Sequence, residues 1–294
     1  MRRAKCAPPS VNPPRIFLLT FLAMIAFAGN SLLCRFALKE TSIDAASFTF
    51  VRILSGAVVL WVVVKFRSGL PRPKGNWPSA LALFSYAAAF SFAYLSLPAG
   101  TGALLLFGAV QATMIFWGLR RGEALSARQL LGLALALTGL VVLVLPGVSA
   151  PPLGGSLLML GAGTAWGVYS LRGKSATDPA RATAGNFLRA VPFAAALSLG
   201  LLSRVRLDSA GIASAILSGA VASGMGYVIW YSVLRHLKAA SAATVQLSVP
   251  VLAATGGILL LGEPVTLRFL GGAIAVLGGI GLVVLGKARR ARLI

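Results

Sequence analysis

Uncharged apolar stretches of about 20 residues recur along the whole chain, and each is long enough to cross about 30 Å of hydrocarbon. We place them at 16–38, 45–64, 77–97, 99–119, 127–145, 153–171, 183–202, 210–234, 239–262 and 266–286. This predicts an all-α integral membrane protein of ten transmembrane helices with nothing left over for a soluble domain. The segment 1–15 holds Arg2, Arg3, Lys5, Pro8, Pro9, Pro13 and Pro14 and reads as a disordered basic leader. No A-x-A cleavage signal precedes residue 30, so the first apolar run is expected to be a retained helix rather than a signal peptide. A basic tail is expected at 287–294.

Composition bears on partners. Residues of the set AVILMFWYC make up 57% of the chain and charged residues 11%, and the formal charge is +21. A soluble domain carries about 25% charged residues, and a nucleic-acid binder would gather its basic residues on one face. Here they sit in short clusters between spans, so we expect membrane lipids as neighbours and no nucleic acid. Counted on alternate sides, 20 Lys and Arg fall with the termini and five (Arg35, Lys39, Arg204, Arg206, Arg268) on the opposite side. The positive-inside rule then predicts both termini in the cytoplasm. Short loops, the lack of a disulfide pair (Cys6 and Cys34 lie a span apart) and the arginine content point to a bacterial inner membrane. His236 has no cysteine or carboxylate spaced to share a metal, and neither a metal nor another cofactor is expected.

The chain also repeats itself. Leu97 to Leu145 aligns without a gap on Leu237 to Leu285: Gly122-Glu123 matches Gly262-Glu263, Arg128 matches Arg268, Gly132 matches Gly272 and Gly139 matches Gly279. Upstream, Arg52 answers to Arg189 and Phe27–Asn30 to Trp166–Tyr169. The halves, 16–145 and 153–286, each contain five spans, an odd number, so the second must enter the membrane from the opposite side. Inverted repeats allow two pseudo-symmetric states around a midplane site, the architecture of a secondary transporter.

Two segments carry the repeat most clearly, GEALSARQLLGLALALTGLVVLVL and GEPVTLRFLGGAIAVLGGIGLVVL, and with FAGNSLLCRFAL and FTFVRILSGAVVL they resemble the EamA-domain members of the drug/metabolite transporter superfamily. The resemblance covers about residues 16–286. It implies a ten-helix exporter or exchanger of small metabolites, not an enzyme, with a cavity built mainly by helices 1, 3, 4, 6, 8 and 9. The chain departs from the family pattern at Phe27-Ala28, where Trp-Gly is often found, and at Val110, opposite Pro250 of the second half.

Candidate site residues follow from depth and chemistry. All six acids (Glu40, Asp44, Glu123, Asp178, Asp208, Glu263) fall at helix ends or in connections, which argues against a mid-span proton carrier and against clustered carboxylates for catalysis. Glu123 and Glu263 are expected to favour the next helix N-terminus and pair with Arg128 and Arg268. Tyr86, Phe90 and Tyr94 recur at i, i+4 and i+8, one stripe of helix 3 suited to an apolar wall. With Trp166, Tyr169 and Tyr227 they are the aromatic candidates for substrate contact, and Asn30, Gln111 and Gln246 are the polar ones, since a mid-span amide needs a partner or water. The five tryptophans, Trp61, Trp77, Trp117, Trp166 and Trp230, lie toward the cytoplasmic interface, where an aromatic belt would put them.

Arg52 and Arg189 are candidate counter-ions for an anionic substrate, the feature on which an organic-anion or nucleotide-sugar carrier would depend. Their symmetric placement equally suits snorkelling to the nearer interface. Pro192 and Pro250 are candidate kinks or gates. The patterns Gly163-x3-Gly167, Gly219-x4-Gly224 and Gly272-x6-Gly279 allow close helix packing and, secondarily, suggest a homodimer. The expected substrate is a small amphiphile, amino-acid-like or drug-like.

Overall fold

The computed structural model describes residues 13–68, 74–122, 125–145, 147, 150–173, 176, 178–234, 237 and 245–290. Glu123, His236, most of the basic leader, and residues 291–294 of the tail lie outside the described residues. The main helices among the described residues are α1 (Pro13–Glu40), α2 (Ala45–Ser68), α3 (Trp77–Tyr94), α4 (Ala99–Arg120), α5 (Ala127–Val144), α6 (Leu153–Gly173) and α7 (Pro179–Gly200), followed by α8 (residues 209–234), α9 (Ser248–Leu261) and α10 (Leu267–Arg290). Among them α1, α2, α4, α5 and α8 are long and apolar enough to cross a membrane, and α9 and 267–283 form shorter apolar helices. No strand occurs among the described residues.

The exposed surface is rich in Leu130, Leu131, Val251, Leu259, Leu260 and Ile274, whereas the buried set includes Asn30, Ser31, Thr49, Arg52, Gln111, Asn186 and Ser218. Large contiguous apolar surface cannot face water, so the chain is a multi-pass membrane protein whose polar groups satisfy one another inside.

Helix starts follow from short polar side chains. Asn76 accepts from Ser79 N (2.9 Å), Ser126 and Gln129 form a reciprocal capping box on α5, and Asp178 accepts from Arg181 N. α1 takes in Pro13, Pro14 and Arg15, which the sequence reading places before the first helix: proline is tolerated in a first helical turn, where its missing N–H has no partner to lose. At the other end of α1, Asp44 caps α2 through Ala46 N and Ser47 N and accepts from Arg206 N (3.0 Å), while Asp208 caps α8 and accepts from Ser42 N (3.0 Å). The loops before α2 and α8 are therefore clamped to each other.

For Asp44, burial would raise the pKa, but hydrogen bonds from Ser47, Arg206 and Ala46 outweigh it and hold the carboxyl below its usual range. Asp208 is lowered by hydrogen bonds led by that from Gly211 N. A depressed folded-state pKa contributes stability that is present above the unfolded value, about 4, and lost as pH falls through the folded one. Thermal unfolding in detergent should therefore show Tm falling below about pH 4. Asp44→Asn should have a lower Tm at neutral pH and a flatter fall; an unchanged acid limb would mean that this clamp is energetically silent.

Exchanging the two halves maps the packing onto itself. α5 packs on α10, α2 on α7 and α4 on α9; α3 on α6 answers to α8 on α1, α4 on α6 to α9 on α1, and α2 on α8 to α7 on α3. Most contacts between helices therefore cross from one half to the other. Glycines permit the closest approaches. Gly132 lies against the carbonyl oxygen of Gly279, the repeat mate of Gly139, and Gly272 lies against Leu143. Gly163 faces the Leu106 carbonyl and Ala109, and Gly167 faces Thr113, so these small-residue positions all meet neighbours within the chain.

The repeated Gly-Glu pair also has a backbone reason. Gly122 and Gly262 both adopt positive φ, +85° and +61°, a region L side chains rarely enter. At Gly262 this left-handed turn ends α9 and swings Glu263 back toward the bundle.

Candidate functional site

At the level where α1, α3, α4, α6 and α8 approach one another lies a cavity lined by Phe27, Asn30, Ser31, Tyr86, Phe90, Leu106, Phe107, Trp166, Ala222 and Tyr227. Its free space is about 20 Å³, enough for one water. That is too little for any metabolite, so admitting one requires the walls to move apart.

The walls are aromatic. Tyr86 meets Phe90 at 5.4 Å and Trp166 at 4.9 Å between ring centroids, and Trp166 continues to Tyr227 (4.9 Å) and Tyr169 (5.4 Å). Phe27 sits edge-on to Tyr227 and Trp230, and Phe187 closes on Tyr227. Offset and edge-on contacts of this kind add to burial without filling the centre.

The polar part is a chain of hydrogen bonds. Ser218 Oγ donates to Asn30 Oδ1 (2.6 Å), Asn30 Nδ2 donates to the Tyr86 hydroxyl (3.2 Å), and Arg52 Nη2 donates to the same hydroxyl (3.0 Å) and to Ser223 Oγ (3.4 Å). The Arg52 guanidinium carbon stands 5.2 Å from the Tyr86 ring centre and 4.9 Å from that of Phe90. Arg52 is 2% exposed, and its Nη1 has no hydrogen-bond partner.

Ser218 and Ser223 belong to an unexpected element. Within α8, residues Leu217–Met225 form a π-helix between the α-helical segments Ser209–Ile216 and Gly226–Leu234. Its wider i→i+5 turn brings residues five apart closer to one face than an α-helix would, which is how two hydroxyls and Ala222 all reach the site. Gly219 lets this segment approach α2, since a Cβ there would collide with the Arg52 carbonyl oxygen and Ser55 Oγ.

From the cavity, Phe90 leads to Tyr94 (4.7 Å, edge-on), whose hydroxyl donates to the Ala99 carbonyl (3.2 Å). Beside it Arg35 forms an ion pair with Glu263 (3.1 Å) and donates to the Tyr94 carbonyl (2.9 Å). Glu263 in turn accepts from Ala99 N (2.8 Å), the first residue of α4. This cluster ties α1, α3, α4 and the α9–α10 loop together at one end of the bundle. The expected pairing of Glu263 with Arg268 does not occur: Arg268 instead donates to the carbonyl of Leu145 at the end of α5.

The structure thus brings Asn30, Tyr86, Phe90, Trp166 and Tyr227 to one cavity, with Tyr94 edge-on to Phe90 and Tyr169 stacked on Trp166 behind its lining. Gln111 is buried on α4 but does not line the cavity, and Gln246, half-buried before α9, does not either; α9 contributes no lining residue. Trp166 and Trp230 are buried among rings rather than placed in a belt, because their helices turn those faces inward, whereas Trp61, Trp77 and Trp117 are exposed.

The two arginines part company as well. Arg189 is half-buried and donates to the Gly185 carbonyl one turn earlier in its own helix (2.9 Å), while Arg52 enters the core. Pro192 lies inside α7 and is exposed. Pro250 falls in the first turn of α9 rather than at its middle, and the helical path breaks at Leu247, close to the residue 246 carbonyl that the proline ring would crowd.

Sequence reasoning missed Phe27, Ser31, Leu106, Phe107, Ala222, Ser218 and Ser223. The equivalence of Phe27–Asn30 with Trp166–Tyr169 was the one signal that could have found Phe27.

A membrane-embedded helical bundle whose halves exchange contacts symmetrically around a small aromatic cavity is the architecture of a transporter of small molecules. The chain belongs to the EamA-like transporter family, which it matches twice, over residues 14–145 and 153–285. It is 59% identical over 280 residues to an uncharacterized protein of Pseudomonas aeruginosa, covering 94% of this chain and 98% of that one. It is 29% identical over 222 residues to a "probable amino-acid metabolite efflux pump" of Escherichia coli, covering 70% of this chain and 74% of the pump. One crystal structure shares the fold with a TM-score of 0.66 at 18% identity, over 94% of this chain and 99% of that one.

Proposed function

We propose that the protein is a secondary transporter of the inner membrane that exports or exchanges small amphiphilic metabolites, amino-acid-like or drug-like, by alternating access. In this reading ten spans form two inverted five-helix repeats, residues 16–145 and 153–286, with both termini cytoplasmic, and rocking one repeat against the other opens the cavity to each side in turn. The observation that carries it is the cavity itself. Its rings come from both halves (Tyr86 and Phe90 from the first, Trp166 and Tyr227 from the second), so a movement between halves must open it. The name of the E. coli relative supports an amino-acid-like substrate and outward flux.

The test is counterflow and efflux in proteoliposomes with a labelled panel of amino acids, organic acids and cationic drugs, with and without a pH gradient. Saturable exchange of amphiphiles that needs no imposed gradient is the expected result. If no compound of the panel exchanges, the transport reading is wrong. With no carboxylate found mid-span among the described residues, a strict requirement for a proton gradient would also count against this mechanism.

A further inference from the structure

We infer that Arg52 makes the cavity selective for a substrate carrying a carboxylate, which the Tyr86 hydroxyl and the Arg52 guanidinium hold together. This rests on the transport reading above and names the substrate class for the same site. Arg52 is a charge without a counter-charge. It is buried inside a membrane bundle, and a guanidinium there is costly unless paired. The two ion pairs among the described residues are Arg35 with Glu263 and Lys39 with Glu40, and neither involves it. Its partners are two hydroxyls and two ring faces, all neutral, and Nη1 is left without an acceptor.

Tyr86 links this charge to the cavity. Its hydroxyl oxygen accepts from both Asn30 and Arg52, which engages its two lone pairs and leaves its own proton free to donate. A phenol whose oxygen is held by a guanidinium is a polarised donor, and Tyr86 lines the cavity. A carboxylate entering beside it meets that O–H directly and has Arg52 immediately behind. The resulting bond is charge-assisted in a low-dielectric setting, and the anion supplies the compensation that Arg52 lacks.

Charge selects the ligand further. Among the described residues no lysine or arginine forms part of the cavity lining, and Arg189, the repeat mate of Arg52, is tied to Gly185. One positive charge behind Tyr86 suits a monoanion rather than a nucleotide diphosphate. Phe27, Leu106, Phe107, Trp166 and Tyr227 offer only ring and aliphatic surface to the remainder of the molecule, apart from one phenol and one indole N–H.

The experiment uses the full chain in proteoliposomes with three labelled probes that share one ring: phenylalanine, 3-phenylpropanoate and phenylalaninamide. The first two carry the carboxylate and the third does not. The wild type should exchange both acids and disfavour the amide by about tenfold or more. Arg52→Gln should raise the half-saturating concentration of the acids by about ten- to hundredfold, because it removes the one positive charge behind the Tyr86–carboxylate bond, and abolish the preference over the amide. Tyr86→Phe keeps the ring and removes the hydroxyl that bonds the carboxylate, and should weaken the acids by about ten- to hundredfold, the loss of a hydrogen bond to a charged group; it decides the matter if Arg52→Gln fails to reach the membrane. Amide exchanged as well as acid by the wild type, or a preference for acid that survives both substitutions, overturns the carboxylate assignment while leaving the transport reading intact. Exchange of none of the three probes, together with none of the wider panel, removes both.

Discussion

Glu263→Ala should lower the thermal unfolding midpoint by several degrees and loosen the end of the bundle that its ion pair ties together. The carboxylate satisfies two groups at once, Arg35 and the free N–H of Ala99 at the start of α4, and it is 8% exposed. Removing it leaves a largely buried guanidinium without its counter-charge and a helix N-terminus without its acceptor. Breaking a buried pair from one side costs about 3–5 kcal/mol, whereas replacing both partners by apolar residues of similar size is often neutral. Arg35→Met with Glu263→Met should therefore recover most of the Tm that Glu263→Ala loses. Cys34 reports the loosening: it is a free cysteine, fully buried, one residue from Arg35. With Cys6→Ser to remove the other thiol, a membrane-impermeant maleimide should leave Cys34 of the resting protein unlabelled. In Glu263→Ala labelling should speed up at least about tenfold, since each 1.4 kcal/mol withdrawn from the closed arrangement multiplies the open population by about ten. Equal labelling rates would show that the ion pair is not what holds this end together.

Gly219→Val should abolish transport and most of the folded yield. The position lies in the π-helical segment where α8 crosses α2, and even a single Cβ would drive into the Arg52 carbonyl oxygen and Ser55 Oγ. The first of these is backbone and cannot rotate away. Valine adds two more methyl groups, so α8 must withdraw from α2, and overpacking of this kind costs about 1–3 kcal/mol or more. The withdrawal would also carry Ser218 off Asn30 and Ser223 off Arg52, breaking the polar network of the cavity. Gly161→Ala is the contrasting change: nothing lies within 4 Å of its added Cβ. Alanine there should stabilise α6 by about 0.5–1 kcal/mol through helix propensity alone. The comparison is read from detergent-extracted yield on size exclusion and from Tm. Normal yield and transport in Gly219→Val would mean that the close crossing is not required.

Much of the site is legible in the amino-acid sequence, and the reasons differ by residue. Tyr86, Phe90 and Tyr94 stand out because i, i+4 spacing places a stripe on one helix face whatever that helix packs against. Asn30 stands out because an amide in an apolar run must find a partner. Ser218 and Ser223 do not, since hydroxyls in such a run can always bond back to their own helix, as Ser214 does to the Ala210 carbonyl. Nothing in the local residues signals that α8 widens its turn there. Gln111 and Gln246 look as polar as Asn30 in sequence, and only their placement in the folded bundle separates them from the cavity.

The amino-acid sequence alone determined the membrane class, the duplication and the helical registers, because hydrocarbon thickness, backbone satisfaction and the spacing of glycines and carboxylates act locally along a chain. Tertiary structure decided which of two sequence-equivalent groups would matter. Arg52 and Arg189 hold matching places in the repeats, yet one lies buried over two rings with a hydroxyl from each half bound to it, and the other bonds its own helix. That difference depends on which neighbour each helix meets across the bundle. It arises because the two halves, alike in their punctuation, carry different side chains into one shared interior.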